Sequence, residues 1–273
     1  MIVGIGGGKG LSQTLLALKQ QKIDFGAVVE TTDNGGSTGQ LRKMFDVPAM
    51  GDIRRVVDTI SDSPFANAME YRFNGHAVGN LVLLNLINLH GFSNAMQIYR
   101  NAMGLTQPIE PLFNRACDLV ADFEHEKVFG EVQIDHTEGK IVKMSLNPKV
   151  HVNPNAIALI KNADAVVVGP GSLFTSIIPH FLVNDIRKAV DEVPKKIYVM
   201  NIVNDVAPVK NFKVSDYLRV LKEIGGFAPD YVIVQKPSKG IEIDVDGVFA
   251  DLSQTEHLHD PKKLGEVLCR LLR

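Results

Sequence analysis

Ile2-Val3-Gly4-Ile5, then Gly6-Gly7-Gly8-Lys9-Gly10, then Leu11 with Leu15, Leu16 and Leu18, and finally Phe25-Gly26-Ala27-Val28-Val29 decide the fold. The first run is short, apolar and stopped by glycine, as suits a strand buried on both faces. The leucines recur at helical spacing, so Leu11 to Lys19 reads as a helix with one apolar face. Phe25 to Thr31 is again apolar and β-branched. Strand, glycine turn, helix and strand make a βαβ unit, whose crossover is right-handed and whose strands lie parallel in one sheet.

The same rhythm extends outward. Asp52 to Ser61 puts Ile53, Val56, Val57 and Ile60 on one helical face. Val78 to Leu89 and Ser93 to Met103 read as two more helices, with Gly91 ending the first. Asn153-Pro154 and Asp260-Pro261 pair an N-cap with a proline at the first helical position. Ala165 to Val168, Lys196 to Met200 and Tyr231 to Val234 read as strands, with helices near Ile186 to Glu192 and Ser215 to Ile224. Phe249 to Leu252 adds an edge strand. In the middle the period changes. Leu119 to Phe123, Val128 to Ile134 and Ile141 to Leu146 alternate apolar with polar residues, and Glu138-Gly139 supplies a turn, which predicts a small antiparallel meander. The expected architecture is α/β: one domain over 1–273 with a doubly wound, mostly parallel sheet and a β excursion near 117–147.

Composition excludes several function classes. The 29 basic and 31 acidic residues give a net charge of -2. A duplex-binding protein carries a basic excess, so nucleic acid is not the expected partner. The two cysteines, Cys117 and Cys269, make neither a disulfide framework nor a zinc site and read as core thiols of a reducing compartment. No apolar run reaches the roughly 18 residues of a membrane span. Met1 to Ile5 lacks the basic flank and length of a signal peptide. A soluble cytoplasmic protein with a small-molecule partner is expected, and a homo-oligomer is compatible with everything in the sequence.

In an open parallel sheet, ligands bind beyond the carboxyl ends of the strands. Three loops at such ends stand out. Gly7, Gly8, Lys9 and Gly10 lead into the first helix, where backbone amides and the helix dipole favour an anion. The loop is neither the dinucleotide fingerprint, whose third glycine falls on Lys9 or Leu11, nor a Walker A loop, since Gly10 follows Lys9 where Ser or Thr belongs. Thr32-Asp33-Asn34-Gly35-Gly36-Ser37-Thr38-Gly39 follows the second strand. Its amides and hydroxyls suit phosphates, and Asp33 suits Mg²⁺ or a ribose hydroxyl. Gly169, Pro170, Gly171 and Ser172 follow the strand at Val166 to Val168. Gly51-Asp52-Ile53-Arg54-Arg55 puts an acid at a helix start, where a plain N-cap role is the alternative. His76 and Asn80 flank Gly79, with a structural role for the lone histidine as the alternative. Glu30, twenty residues beyond Gly10, suits a ribose acid in a dinucleotide-binding oxidoreductase, a reading that the failed fingerprint opposes.

Taken together, the GGGxG loop, TTDNGGSTGQLR, GDIRR, GHAVGNL, GEVQID and GPGSLFTSIIP resemble the gluconeogenesis-factor (YvcK-like) family, a branch of the 2-phospho-L-lactate transferase (CofD-like) group. The resemblance runs from Ile2 to about Val183. It implies a Rossmann-like body and a cytoplasmic location. One branch transfers phospholactate from a nucleotide-activated donor with Mg²⁺; the other binds UDP-sugars and is linked to gluconeogenic growth, cell-wall synthesis and cell shape. Carried onto this chain, it implies phosphate-loop roles for Gly7, Gly8, Gly10, Gly169, Gly171 and Ser172 and a ligand role for His76 and Asn80; with the loop readings above, nucleotide or phosphate contacts are expected from these and from Lys9, Asn34, Gly35, Gly36, Ser37, Thr38 and Arg54. It implies Mg²⁺ on Asp33 and Asp52 when nucleotide is bound. The chain departs from the family pattern at Asn34, where a second aspartate is usual, at Gln40, where arginine is usual, and at Lys9, where threonine is usual. After Asn201 the usual Met-Thr-Gln-Pro-Gly-Glu-Thr is replaced by Ile202-Val203-Asn204-Asp205-Val206-Ala207-Pro208. No nucleophile with its base is legible, so catalytic residues are left unassigned.

Overall fold

A computed structural model describes residues 1–204 and 206–273; Asp205, in the stretch after Asn201, lies outside the described residues. The opening βαβ unit is strand β1 (Ile2–Gly6), helix α1 (Gly8–Gln20) and strand β2 (Phe25–Val29). Beyond it come α2 (Gly36–Phe45), α3 (Gly51–Ile60), α4 (Ala66–Glu70), the two-residue strands β3 (Arg72–Phe73) and β4 (His76–Ala77), α5 (Val78–His90) and α6 (Phe92–Ala102). A short parallel strand, β5 (Ile109–Pro111), then precedes a separate small sheet: β6 (Asp118–Phe123), β7 (Lys127–Phe129) and β8 (Ile141–Asn147), with helix α7 (Glu131–His136) between the last two.

The α/β alternation resumes with α8 (Pro154–Lys161), β9 (Ala165–Val168), a π-helical turn over Leu173–Ile177, α9 (Ile178–Phe181) and α10 (Asn184–Asp191). It ends with β10 (Lys196–Val199), α11 (Val214–Glu223), β11 (Tyr231–Gln235), β12 (Val248–Ala250) and α12 (Pro261–Leu272). The cap signals act as expected. Asn153 Oδ1 accepts the Asn155 N–H at 3.1 Å, and Asp260 Oδ1 accepts the Lys262 N–H at 2.8 Å.

The large sheet has the order β12-β11-β10-β9-β1-β2-β5, and every pairing in it is parallel. Its strands send alternate residues into two cores. Val3, Ile5, Val28, Val166 and Val168 join one apolar cluster, while Ile2, Ala27, Val29, Ala165 and Val167 join the other. That double burial is why these strands read as unbroken apolar runs. The result is a doubly wound, Rossmann-like α/β architecture with a small antiparallel excursion.

Three expectations are corrected. Val128 to Ile134 is not one strand: β7 stops at Phe129, Gly130 adopts φ 88°, and α7 begins at Glu131. The small sheet is ordered β7-β6-β8, with β6 central, so it is not a simple meander. The polar stretch Thr32 to Gly39 is a loop only as far as Gly35, because α2 starts at Gly36.

The chain reverses its direction of growth between β1 and β9. From β1 it builds toward β5, and from β9 it builds toward β12. Ligands of doubly wound sheets lie at this switch point, outside the carboxyl ends of the strands. Here those ends carry Gly6-Gly7-Gly8 and Gly169-Pro170-Gly171.

Candidate functional site

The α1 N-terminus has no capping side chain of its own, since Gly7 is the N-cap. Its orphan amides therefore need partners from elsewhere. Asp52, in the first turn of α3, supplies one: its Oδ2 accepts the Gly8 N–H at 2.6 Å. Met50, not Asp52, occupies the N-cap of α3. A Cβ on Gly8 would run into the Asp52 carboxylate, and one on Gly10 would collide with the Pro170 carbonyl. The glycines thus let the α3 acid and the β9 loop close on α1 together.

Asp33 Oδ1 accepts the Gly35 N–H at 2.7 Å and folds the second loop toward α2. Arg42 holds this loop from behind, donating to the Thr32 and Asp33 carbonyls, each at 2.9 Å. Ser37 and Thr38 lie in the first turn of α2. Asn80 Nδ2 donates to Ser37 Oγ at 3.0 Å, and the same hydroxyl is hydrogen-bonded with His76 Nδ1 at 3.1 Å. The lone histidine and the asparagine therefore join the second loop, and Thr38 packs against Gly51, next to Asp52. In the third loop Gly169 adopts φ 83°. The Gly171 N–H donates to Asn201 Oδ1 at 2.8 Å, and Ser172 Oγ donates to Asp135 Oδ1 at 3.0 Å.

Two residues are placed differently from expectation. Arg54 is buried, and its guanidinium is held by Asp58 at 2.7 Å and Glu70 at 2.8 Å. Tyr99 donates its hydroxyl to the other Asp58 oxygen at 2.7 Å. Arg54 thus supports α3, and it is Arg55 that faces the glycine loop, 3.8 Å from Asp52 Oδ1. Asn34, expected at the nucleotide, has its carboxamide engaged elsewhere: Oδ1 accepts the Val132 N–H at 3.0 Å and Nδ2 donates to Gln133 Oε1 at 3.0 Å. It ties the second loop to α7.

That tie adds the acids of the GEVQID motif to the site, where Glu30, read from the sequence only as a ribose acid, also lies. Glu131 and Asp135 come from α7, and Glu30 from the end of β2. Burial, reinforced by Asp52 and Asp33, pushes the Glu30 carboxyl up to about 8. Burial and Asp52 push Asp33 up to about 6. Glu131 is raised well above the usual carboxylate range by burial and by Glu30, Asp33, Asp52 and Asp135. Glu30 Oε1 accepts the Thr32 N–H, while Oε2 has no partner among the described residues. At 1% exposure Glu30 is walled in, unlike a ribose-binding acid. These groups disfavour one another's charge, as acids gathered without a cation do.

The Mg²⁺ implied by the sequence resemblance fits this wall. Among the described residues no three His, Cys, Asp or Glu side chains are arranged to hold a metal ion by themselves. Mg²⁺ takes one or two carboxylates and completes its shell with phosphate oxygens and water, which is what Asp33 and Asp52 beside a helix N-terminus can offer.

The family model for 2-phospho-L-lactate transferase CofD matches residues 2–271. The chain belongs to the CofD family. Its relatives within that family include the gluconeogenesis factor of Bacillus subtilis, 34% identical over 80% of this chain and 73% of its own. The gluconeogenesis factor of Listeria monocytogenes is 29% identical over 99% of this chain and 95% of its own. A crystal structure of a UPF0052 family protein from Bacillus halodurans superimposes with a TM-score of 0.93 at 27% identity, covering 98% of each chain. The CofD-like resemblance therefore extends past Val183 through the whole α/β body. Among the described residues of this CofD-family chain, no helix is long and apolar enough to cross a membrane.

Proposed function

We propose that this chain, acting as one CofD-like domain in the cytoplasm, is a gluconeogenesis factor that binds a UDP-sugar at the β1/β9 switch point. It would thereby adjust carbon metabolism, cell-wall synthesis and cell shape. The observation that carries the reading is the glycine-built N-terminus of α1, which has no capping side chain of its own and gives one amide to Asp52, held at the switch point against an acidic wall. Backbone amides and the helix dipole there favour a diphosphate. Lys9 and Arg55 add positive charge on the flanks. Ser37, His76 and Asn80 offer a linked set of donors and acceptors for sugar hydroxyls. Asp33 and Asp52 hold Mg²⁺ only together with nucleotide, and the ion offsets the charge that the acids and the diphosphate would otherwise oppose to each other.

The description of the family model supports a second reading, a Mg²⁺-dependent transferase of a phospholactate-type group from a nucleoside-diphosphate-activated donor. A melting-temperature panel of UDP-sugars, GDP, NAD and NADP, with and without Mg²⁺, separates the readings. A ligand at a hundred times its Kd stabilises by about 2.7 kcal/mol. The regulatory reading expects a UDP-sugar response that Mg²⁺ enhances, and no product by mass spectrometry. A turnover product would establish the transferase instead, and no response to any nucleotide overturns both.

A further inference from the structure

Beside the glycine loop, toward β9 and β10, lies a cavity of about 250 Å³. Lys9 from α1, Gly171 from the β9 loop, Asn201 from the end of β10, and His257 and His259 from the segment before α12 all line it. Two of these side chains have hydrogen-bonding states that the fold sets. Asn201 Oδ1 is taken by the Gly171 N–H, which orients the carboxamide and leaves Nδ2 as a donor. His259 is 2% exposed. Burial pushes its imidazole down to about 4, against a bond to the Met200 backbone that acts in the opposite direction. A bond of that sign is one in which the ring N–H donates to a carbonyl. The other nitrogen, Nε2, is then a bare acceptor. It is buried and has no partner among the described residues. A buried acceptor without a donor is costly and uncommon, and this one belongs to a residue that lines the cavity.

We propose that Asn201 and His259 form a nucleobase subsite that reads the imide edge of uracil. The inference rests on the nucleotide-binding reading above and names the residues that select the base. In uracil, one N–H stands between two carbonyls. The N–H can donate to His259 Nε2 while a carbonyl accepts from Asn201 Nδ2, whichever side of the histidine the amide lies on. Cytosine puts a bare ring nitrogen at the position of that N–H. Two acceptors then face each other across a dry contact, or the base must shift by one atom. The cavity adjoins Lys9 and Gly10, so a base held here would direct its diphosphate across the α1 N-terminus toward Asp33 and Asp52. It also lies where the chain departs from the usual family stretch after Asn201.

The test compares titrations of UDP, CDP and inorganic pyrophosphate, with Mg²⁺, on the parent protein, His259→Phe and Asn201→Asp. The parent should bind UDP about tenfold or more tightly than CDP, the scale of one buried polar group left unpaired. His259→Phe should bring UDP and CDP to within about threefold of each other while pyrophosphate binding is kept, since the phenyl ring fills the space but cannot accept. Should His259→Phe lose pyrophosphate binding as well, Asn201→Asp carries the same comparison, because the aspartate keeps the acceptor for Gly171 and removes the donor, and its added charge acts on UDP and CDP alike, so the ratio still reads the base. A parent that binds UDP and CDP equally, or a ratio unchanged in the informative variant, overturns the base subsite and leaves nucleotide binding standing. A parent that binds pyrophosphate but no nucleotide, or nothing at all, overturns the nucleotide reading itself.

Discussion

Asp52 does from a neighbouring helix what a capping side chain does from within its own, and it carries a full charge to do it. Its oxygen takes the Gly8 amide, one of the groups an incoming phosphate would use. Without a cation the carboxylate and a diphosphate compete for the α1 N-terminus; with Mg²⁺ between them they cooperate. Asp52→Asn keeps an oxygen for Gly8 and removes the charge. Pyrophosphate affinity without Mg²⁺ should then rise roughly three- to tenfold, the range expected for one charge at a helix end, and the enhancement by Mg²⁺ should shrink. Isothermal titration with and without Mg²⁺ checks both. Equal enhancement in parent and variant would leave Asp52 only its part in capping α1. At this scale the sequence was legible where small residues crowd strand ends, since glycine, serine and aspartate after an apolar run have little structural work besides turning. It was not legible at Arg54 and Arg55. Adjacent helical residues point about 100° apart, and which of two arginines enters a core depends on partners such as Glu70 and Tyr99 that sit on other elements.

Among the elements, α3 is tied down by charge along its first turn: Asp52 binds α1, while Arg54 pairs with Asp58 one turn on in the same helix and with Glu70 of α4. Arg54 and Asp58 are 2% and 3% exposed, so removing one strands the other. Breaking such a buried pair costs about 3–5 kcal/mol. Arg54→Met should therefore lower the urea midpoint sharply, while nucleotide affinity of the folded fraction stays within about twofold of the parent, since one hydrogen bond to a charged ligand group would be worth more than that. A tenfold loss of affinity at unchanged stability would return Arg54 to the phosphate site. Helix α7 shows the limit of period reading. Glu131-Val132-Gln133-Ile134 alternates polar and apolar as a strand does, yet of its two apolar residues only Ile134 is buried. Its helical state comes from partners distant in sequence. Asn34 accepts the Val132 amide, and Asp135 takes the Ser172 and Thr175 hydroxyls. Local pattern carries no trace of such bonds, so the acids that α7 brings to the site could not be placed in advance.

Over the whole molecule, the sheet class was readable because strands buried on both faces leave unbroken apolar runs at β1, β2, β9, β10 and β11. The three-residue β5 was not, because Ile109-Glu110-Pro111 is too short to show a period. Strand order sets where the loops converge, and the convergence gathers Glu30, Asp33 and Glu131 into one low-dielectric wall. Each holds its proton more firmly folded than unfolded. Between the unfolded and folded values, the folded chain therefore carries more protons, and stability falls as pH rises. The contribution is fully present below about 4, is lost progressively as pH passes about 6 for Asp33 and about 8 for Glu30, and should show as a falling melting temperature from pH 5 to 8. Glu30→Gln keeps the size and removes the ionisation, so its curve should be flatter and its melting temperature at pH 8 higher than the parent's. A nucleotide with Mg²⁺ should flatten the parent curve too, because a cation favours the charged carboxylates and binding then releases protons. Calorimetric scans at pH 5, 6.5 and 8, free and with UDP-sugar and Mg²⁺, decide the matter. A parent whose stability rises with pH across that window would show that the wall does not hold its protons. A slope untouched by Mg²⁺ and nucleotide would place the cation elsewhere.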